Sequence, residues 1–349
     1  MVITITGAAG MLGGRLAERF AADGHEVRGV DLRPGPGVSV VGDIRDAAVM
    51  ARAATGATTL IHCAAALPSY PTNEIRSITV DGTENVLGAA RRARVRHLVH
   101  ISSTAVYGLP KVVPTPEEHP RAPVDPYSAA KAAAEQVAER HRADGALVSI
   151  LRPKTFLGPG RMGLFAMLFE WAEEGRNFPV LGRGDVRIQM FAVEDLVDAV
   201  VTVLHAPDEV ANDTYNLGAE RFGTLREDFQ AVLDAAGHGK RVVSLPARPA
   251  LATLGLLERT RLSPVYGRLL HKLMGDSYVS IDKARQRLGF SPKFSNADAI
   301  LHTYRWWREE RHQVPPDASG DGTGRATQRG RTSRDPWRQG ALAFAKIFF

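Results

Sequence analysis

The feature that most restricts the fold lies at the amino end. There the β-branched run Val2-Ile3-Thr4-Ile5-Thr6 stops at a glycine cluster, and Met11, Leu12, Leu16 and Phe20 then recur at helical spacing. The stretch reads as strand, tight turn, helix. Gly7, Gly10 and Gly13 lack a Cβ, so the backbone can turn sharply and approach a ligand, while the helix N-terminus turns unpaired N–H groups toward an anion. A pyrophosphate fits there. The acid such a site needs about twenty residues further on is Asp31, ending the run Val27-Arg28-Gly29-Val30, where a carboxylate can accept both ribose hydroxyls of an adenosine. Together these residues read as a dinucleotide site.

The rest of the first half alternates strand and helix. Strands are predicted at Val38 to Val41, Thr58 to His62, Arg96 to Ser102 and Ala146 to Arg152, with helices at Asp46 to Ala54, Glu74 to Ala93 and from Pro126 onward. Asp43 is either a contact for the adenine amine, with Ile44 covering the ring, or the N-cap of the helix after it. Asp125 is a good N-cap and Pro126 a good first helical residue. This order implies an α/β fold, a doubly wound parallel sheet with the ligand at the carboxyl ends of the strands. After Arg152-Pro153 the grain changes. Helices are expected at Met162 to Glu174, Val193 to His205, Pro249 to Met274, Ile281 to Leu288 and Asn296 to Arg311. Strands are expected at Val186 to Phe191, at one ending in Tyr215-Asn216-Leu217-Gly218, and at Arg241 to Leu245, with a capping box of Thr224 and Glu227. Residues 1–152 thus read as the dinucleotide domain with the catalytic groups, 153–311 as a smaller α+β region mostly for substrate, and 312–349 as a disordered Pro/Gly/Arg-rich tail.

Composition excludes several classes. The net charge is +6, but the tail from Gln313 holds half of it, with six Lys/Arg against three Asp. The near-neutral body has no basic stripe interleaved with aromatics, so nucleic acid is not expected as a partner. No apolar run reaches the eighteen or so residues that a membrane span needs. The chain opens on a strand without a secretory leader, and its single cysteine, Cys63, admits no intrachain disulfide; both agree with a reducing cytoplasm.

Tyr127 and Lys131 stand four apart on one predicted helix and share a face. A phenol is a poor base at neutral pH, but a neighbouring ammonium and an oxidised nicotinamide both favour the phenolate. Such a tyrosine can exchange a proton with a secondary alcohol or ketone as hydride moves. Ser103, at a strand end in Ser102-Ser103-Thr104, can hold the substrate oxygen. His62, His97 and His100 lie on or beside strands without metal-ligand spacing, so packing or solvation is expected rather than zinc. Cys63, before Ala64 and Ala65, reads as a small core residue in a stretch that leaves room for a ligand. No hydrolytic triad or Gly-Lys-Ser/Thr phosphate loop is present.

Taken together, these residues resemble the extended short-chain dehydrogenase/reductases, the NAD-dependent epimerase/dehydratase family with its Rossmann-type sheet. The cofactor loop is Thr6-Gly7-Ala8-Ala9-Gly10-Met11-Leu12-Gly13, the ribose acid Asp31, and the adenine contact Asp43-Ile44. The active-site strand end is Ser103-Thr104-Ala105-Val106-Tyr107-Gly108 and the catalytic pair Tyr127 and Lys131. Later landmarks are Arg152-Pro153, Gly158-Pro159-Gly160, Val193-Glu194-Asp195 and Tyr215-Asn216-Leu217-Gly218. The resemblance implies that NAD contacts Gly7, Ala9, Gly10, Met11, Leu12, Gly13, Asp31, Arg33, Asp43, Ile44, Ala64, Ala65, Tyr127, Lys131 and Pro153, with NADP the lesser alternative because of Arg33. It also implies a small-molecule substrate; the oligomeric state is open, with a homodimer as the candidate.

Departures bear on the substrate. The Asp-Glu pair of nucleotide-sugar dehydratases is replaced by Thr104 and Ala105. Epimerases carry an asparagine where this chain has Thr155, and an arginine at Ile188, one residue from Arg187. Thr79 stands where many relatives have asparagine beside the cofactor. What remains is closer to the hydroxysteroid and sterol dehydrogenase-like branch. Phe156, Leu157, Met162, Leu164, Phe165, Met167 and Leu168 suit an apolar pocket, although such a stripe also serves as plain core. An NAD-dependent alcohol dehydrogenase is the expectation, and a nucleotide-sugar epimerase the alternative.

Overall fold

The computed structural model describes residues 1–160, 165–246 and 275–313. In chain order the elements are β1 (Val2–Thr6), α1 (Met11–Ala22), β2 (Glu26–Asp31), β3 (Val38–Val41), α2 (Ala47–Ala54) and β4 (Thr59–His62). There follow α3 (Thr72–Arg76), a π turn (Ser77–Asp81), α4 (Gly82–Arg92), β5 (His97–Ile101), a 3-10 turn (Thr104–Tyr107), α5 (Pro126–Ala143) and β6 (Leu147–Pro153). Next come β7 (Phe156–Leu157), α6 (Phe165–Glu173), β8 (Phe178–Leu181), β9 (Phe191–Ala192), α7 (Val193–His205), α8 (Asp208–Ala211) and β10 (Thr214–Leu217). The last are α9 (Leu225–Ala236), β11 (Val242–Leu245), α10 (Asp282–Leu288) and α11 (Asn296–Gln313).

Seven parallel strands form one sheet in the order β10-β6-β5-β4-β1-β2-β3. This is a Rossmann-type sheet, and its order reverses between β1 and β4, where ligands bind in such sheets. The register there is Ile3↔Thr59 through Thr6↔His62, so the β1 turn and the segment after His62 emerge side by side. Ile3, Ile5, Leu60 and Ile61 are fully buried, as strands covered by helices on both faces require. α1 buries Leu12, Leu16, Ala17 and Phe20 and ends at Gly24, whose φ of 80° relieves the left-handed turn.

The chain forms two compact units that alternate along the sequence. The first combines Met1–Phe156, Val193–Glu220 and Tyr278–Lys293. The described residues of Leu157–Ala192, Arg221–Ser277 and Phe294–Phe349 belong to the second. The sequence division at 152/153 is thus replaced by an interleaved one, because β10 extends the first sheet and Thr115 pairs with Val279.

The second unit has its own core, in which Phe169 packs against Tyr304 and Trp307. Leu157, Phe165 and Leu168, with Met167 against them, are part of it, so these members of the expected pocket are core. Phe156 is half-buried, and Met162 and Leu164 lie outside the described residues, as do the helix expected at Pro249 to Met274 and the tail from Val314. The strand expected from Val186 to Phe191 is reduced to β9 and a single bridge from Ile188 to Ser277. Asn296 interrupts the ladder, accepting from Met190 N–H and donating to Ile188 C=O, both at 2.8 Å. β8, which pairs in parallel with β11, was not expected, and Pro179 within it obscures the strand pattern.

Candidate active site

Every residue assigned to the cofactor or to catalysis lies in the first unit. Gly7 adopts φ 73°, donates to Val30 C=O at 2.8 Å and accepts from Gly10 N–H at 2.9 Å. A Cβ on Gly7 would stand 2.9 Å from Ala64 N, and one on Gly13 only 2.2 Å from Gly7 O. These glycines are therefore needed for the turn to lie against the residues after β4 and for α1 to sit down on the turn. Ala9 and Gly10 form the bend, and Met11, Leu12 and Gly13 supply the first-turn amides of α1. No acid stands in that turn and no side chain caps it. The Leu12 side chain points into the core.

Asp31 ends β2 with both oxygens in use: Oδ2 accepts from Ala9 N–H at 3.0 Å and Oδ1 from Arg33 N–H at 3.1 Å. The carboxylate is thereby locked beside the glycine turn, with lone pairs left over for vicinal hydroxyls. Glycine cradle, bare helix start and fixed acid together fit a dinucleotide. Asp43 pairs with Arg45, accepting from its N–H at 2.8 Å and from Nε at 3.0 Å, and this guanidinium holds its carboxyl below the usual range. Asp43 is not the cap of α2. That role falls to Asp46, whose Oδ1 accepts from Ala48 N–H and Val49 N–H. The Ile44 side chain is committed to the core with Val30 and Val86.

Behind the turn runs a buried polar chain that sequence reasoning missed. Thr6 Oγ1 meets His62 Nδ1 at 2.7 Å, and His62 Nε2 meets Thr83 Oγ1 at 3.0 Å. Thr83 donates to Thr79 C=O in the π turn, and Thr79 Oγ1 accepts from Ala66 N–H at 3.3 Å. Ala64 N–H in turn donates to Thr6 Oγ1 at 3.3 Å. His62 thus fastens the Ala64-Ala65-Ala66 segment to the glycine turn, and burial pushes its imidazole well below the ordinary range. His97 bonds Ser149 Oγ at 2.8 Å, while His100 stacks at a tilt on His62 with ring centroids 5.5 Å apart.

Asp125 and Ser128 form a reciprocal capping box at the start of α5, fixing the first turn that carries Tyr127. Tyr127 packs beside Ala66, Ile75 and Ala130. One turn later Lys131, 4% exposed, donates from Nζ to Ile101 C=O at 2.9 Å, two residues before Ser103. Burial pushes its ammonium down to about 8, opposed by Cys63 and Glu135. Ser103 caps the 3-10 turn, accepting from Ala105 N–H at 3.2 Å. Pro153 ends β6 and its C=O accepts from Thr104 Oγ1 at 3.4 Å. Helix α5 and the end of β5 thus bring a phenol, an ammonium and a hydroxyl to the carboxyl side of the sheet, an arrangement suited to proton exchange with a carbinol.

Residues 3–218 match the model of the NAD dependent epimerase/dehydratase family. The chain is 30% identical to a 3 beta-hydroxysteroid dehydrogenase/Delta 5-->4-isomerase of Mycobacterium tuberculosis, over 92% of this chain and 94% of that one. It is 31% identical to a UDP-glucose 4-epimerase of Mycolicibacterium smegmatis, over 88% and 98%. Among solved structures it resembles the Bordetella bronchiseptica enzyme WbmG in complex with NAD, with a TM-score of 0.69 and 24% identity over 88% of this chain and 94% of that one.

Proposed function

The chain belongs to the NAD-dependent epimerase/dehydratase family, and from that premise we propose that it is an oxidoreductase interconverting a secondary alcohol and a ketone, with Tyr127 as acid and base. NAD, when bound, supplies the acceptor for hydride. The observation that carries the reading is the buried Lys131 ammonium, tied to Ile101 C=O one helical turn after Tyr127 and two residues before Ser103. In the oxidative direction Ser103 Oγ holds the carbinol oxygen and Tyr127 takes its proton. Lys131 lowers the free energy of the phenolate by its charge. In the reductive direction Tyr127 returns the proton. Asp31, the glycine turn and the amides of α1 are the groups that would hold the dinucleotide.

Likeness to the hydroxysteroid relative and the missing acid pair at Thr104 and Ala105 favour an apolar alcohol over dehydration of a nucleotide sugar. The test is NAD reduction with a 3β-hydroxysteroid against UDP-glucose epimerisation, together with a count of nicotinamide released on denaturation. Steroid-dependent NADH formation by a protein that arrives without nicotinamide supports the dehydrogenase. The second reading rests on the 31% identity to the epimerase relative. Stoichiometric retained NAD with conversion of UDP-glucose would replace the first reading by that one.

A further inference from the structure

Glu135 is fully buried, one turn beyond Lys131 on α5, and gathers three groups. Arg152 of β6 grips it with Nε at 2.9 Å from Oε1 and Nη2 at 2.7 Å from Oε2. Arg121 donates to Oε2 at 3.1 Å, and Ser102 Oγ, the neighbour of Ser103, donates to Oε1. Arg152 continues to Tyr107 Oη at 2.7 Å, at the far end of the turn that Ser103 caps, and Tyr107 donates to Asn216 Oδ1 of β10 at 2.8 Å. The residue before Ser103 and the turn after it are therefore both fastened to one carboxylate and its guanidinium partner.

The same carboxylate settles the charge around Lys131. From β4, β5 and the segment after β4, Lys131 is faced by His62, Cys63 and His100. Burial pushes the His100 imidazole down to about 3 and the Cys63 thiol up to about 12, so at neutral pH neither carries charge; His62 is neutral for the same reason as His100. Among the described residues Glu135 is then the anion that acts on this ammonium. A buried carboxylate engaged by two guanidiniums and a hydroxyl, set beside a lysine with neutral neighbours, is arranged for more than packing.

We propose that Glu135 is a positioning residue: its one carboxylate holds the strand end that bears Ser103 to the helix that bears Tyr127 and Lys131, and supplies the negative charge that Lys131 needs. This rests on the reading of Tyr127, Lys131 and Ser103 given under Proposed function. Glu135 acts through the groups it holds; Arg152 acts through Glu135, and Ser102 through the backbone it shares with Ser103.

The experiment follows the Lys131 amine directly, in the full chain carrying 13Cε,15Nζ-lysine, with its NMR signal assigned by its loss in Lys131→Met. In wild type the titration midpoint is expected near 8. In Glu135→Gln, where the two guanidiniums stay and the anion is gone, it should shift downward. An unchanged midpoint overturns the proposal. If Glu135→Gln does not fold, Ser102→Ala, which leaves the ion pair intact, is read by kcat on the alcohol. A drop of about tenfold with KM for NAD unaltered supports positioning, and wild-type kcat overturns it. A fully active Tyr127→Phe beside a lowered Glu135→Gln midpoint sinks the Tyr127 reading alone. An inactive Tyr127→Phe beside an unmoved midpoint sinks only this inference.

Discussion

Tyr127→Phe keeps the ring among Ala66, Ile75 and Ala130 and removes only the hydroxyl. Turnover should fall by about a thousandfold, while NAD affinity measured by fluorescence titration stays within about threefold of wild type; retained turnover would take Tyr127 out of the chemistry. The pH profile carries the signature of its neighbour. Lys131 is depressed by burial to about 8, so its positive charge is present below that pH and is lost above it. kcat for alcohol oxidation should therefore decline above about pH 8, and a profile flat to pH 10 would contradict a role for the ammonium. The same depression makes Lys131 a stabilising group only on the alkaline side, since the folded chain binds fewer protons there than the unfolded one. At this scale Tyr127 and Lys131 were readable because their spacing is local, four residues on one helix. Ser103 was readable from the hydroxyl run that ends its strand. His62 and Glu135 were not, because their partners stand 14 to 56 residues away and no local pattern brings Thr6 to His62 or Arg152 to Glu135.

The turn between β1 and α1 is the element whose geometry leaves least room. A methyl on Gly13 would collide with the Gly7 carbonyl at 2.2 Å, and backbone cannot yield as a side chain does. Gly13→Ala is expected to lower stability by about 1–3 kcal/mol and to weaken NAD binding by at least about tenfold. Gly14→Ala meets Ala8 O at 3.4 Å, an ordinary contact. Melting curves should show it neutral or slightly more stable, by up to about 1 kcal/mol, since alanine favours helix. Equal melting temperatures and NAD affinities for the two variants would remove the special standing of Gly13. Elements with strong local grammar were legible in advance: the N-cap Asp125 with Pro126 after it, the capping box at Thr224/Glu227, and Gly289 ending α10 at φ 65°. The cap of α2 was not, because Asp43 and Asp46 both precede it and only the backbone decides which carboxylate faces the free amides. The segment 186–191 looked like a strand because apolar and polar residues alternate in it, yet the Asn296 side chain takes the positions a neighbouring strand would have used.

For the molecule as a whole, one contribution to the pH dependence of stability comes from a buried acid in the second unit. Asp228, 3% exposed, accepts from Asn296 Nδ2 at 2.8 Å, and burial outweighs that bond and pushes its carboxyl up to about 6. A folded-state value above the unfolded one means that its contribution is complete below about pH 4 and is lost as pH rises through about 6. Asp228→Asn keeps an acceptor for Asn296 and removes the charge. It should be more stable than wild type by about 1–2 kcal/mol at pH 8, with the advantage vanishing near pH 4; denaturant melts at the two pH values check both. A gap that does not change with pH would show that Asp228 ionises freely. The parallel, doubly wound character of the sheet was legible from the alternation of strands and helices in the first half. The division into units was not, because β10 and residues 278–293 return to the first unit after long excursions, and periodicity says nothing about which body a helix or strand rejoins.

That interleaving sets a schedule for synthesis. β6 acquires its outer neighbour only when Thr214–Leu217 has been made, about sixty residues after β6 itself. At ribosomal speed this is an interval of several seconds. Until then the backbone N–H and C=O groups along the open side of β6 are a template for any extended peptide nearby. A nascent chain of this design depends on holding that rim out of reach, and a fragment cut after the first 152 residues would carry the exposed rim permanently.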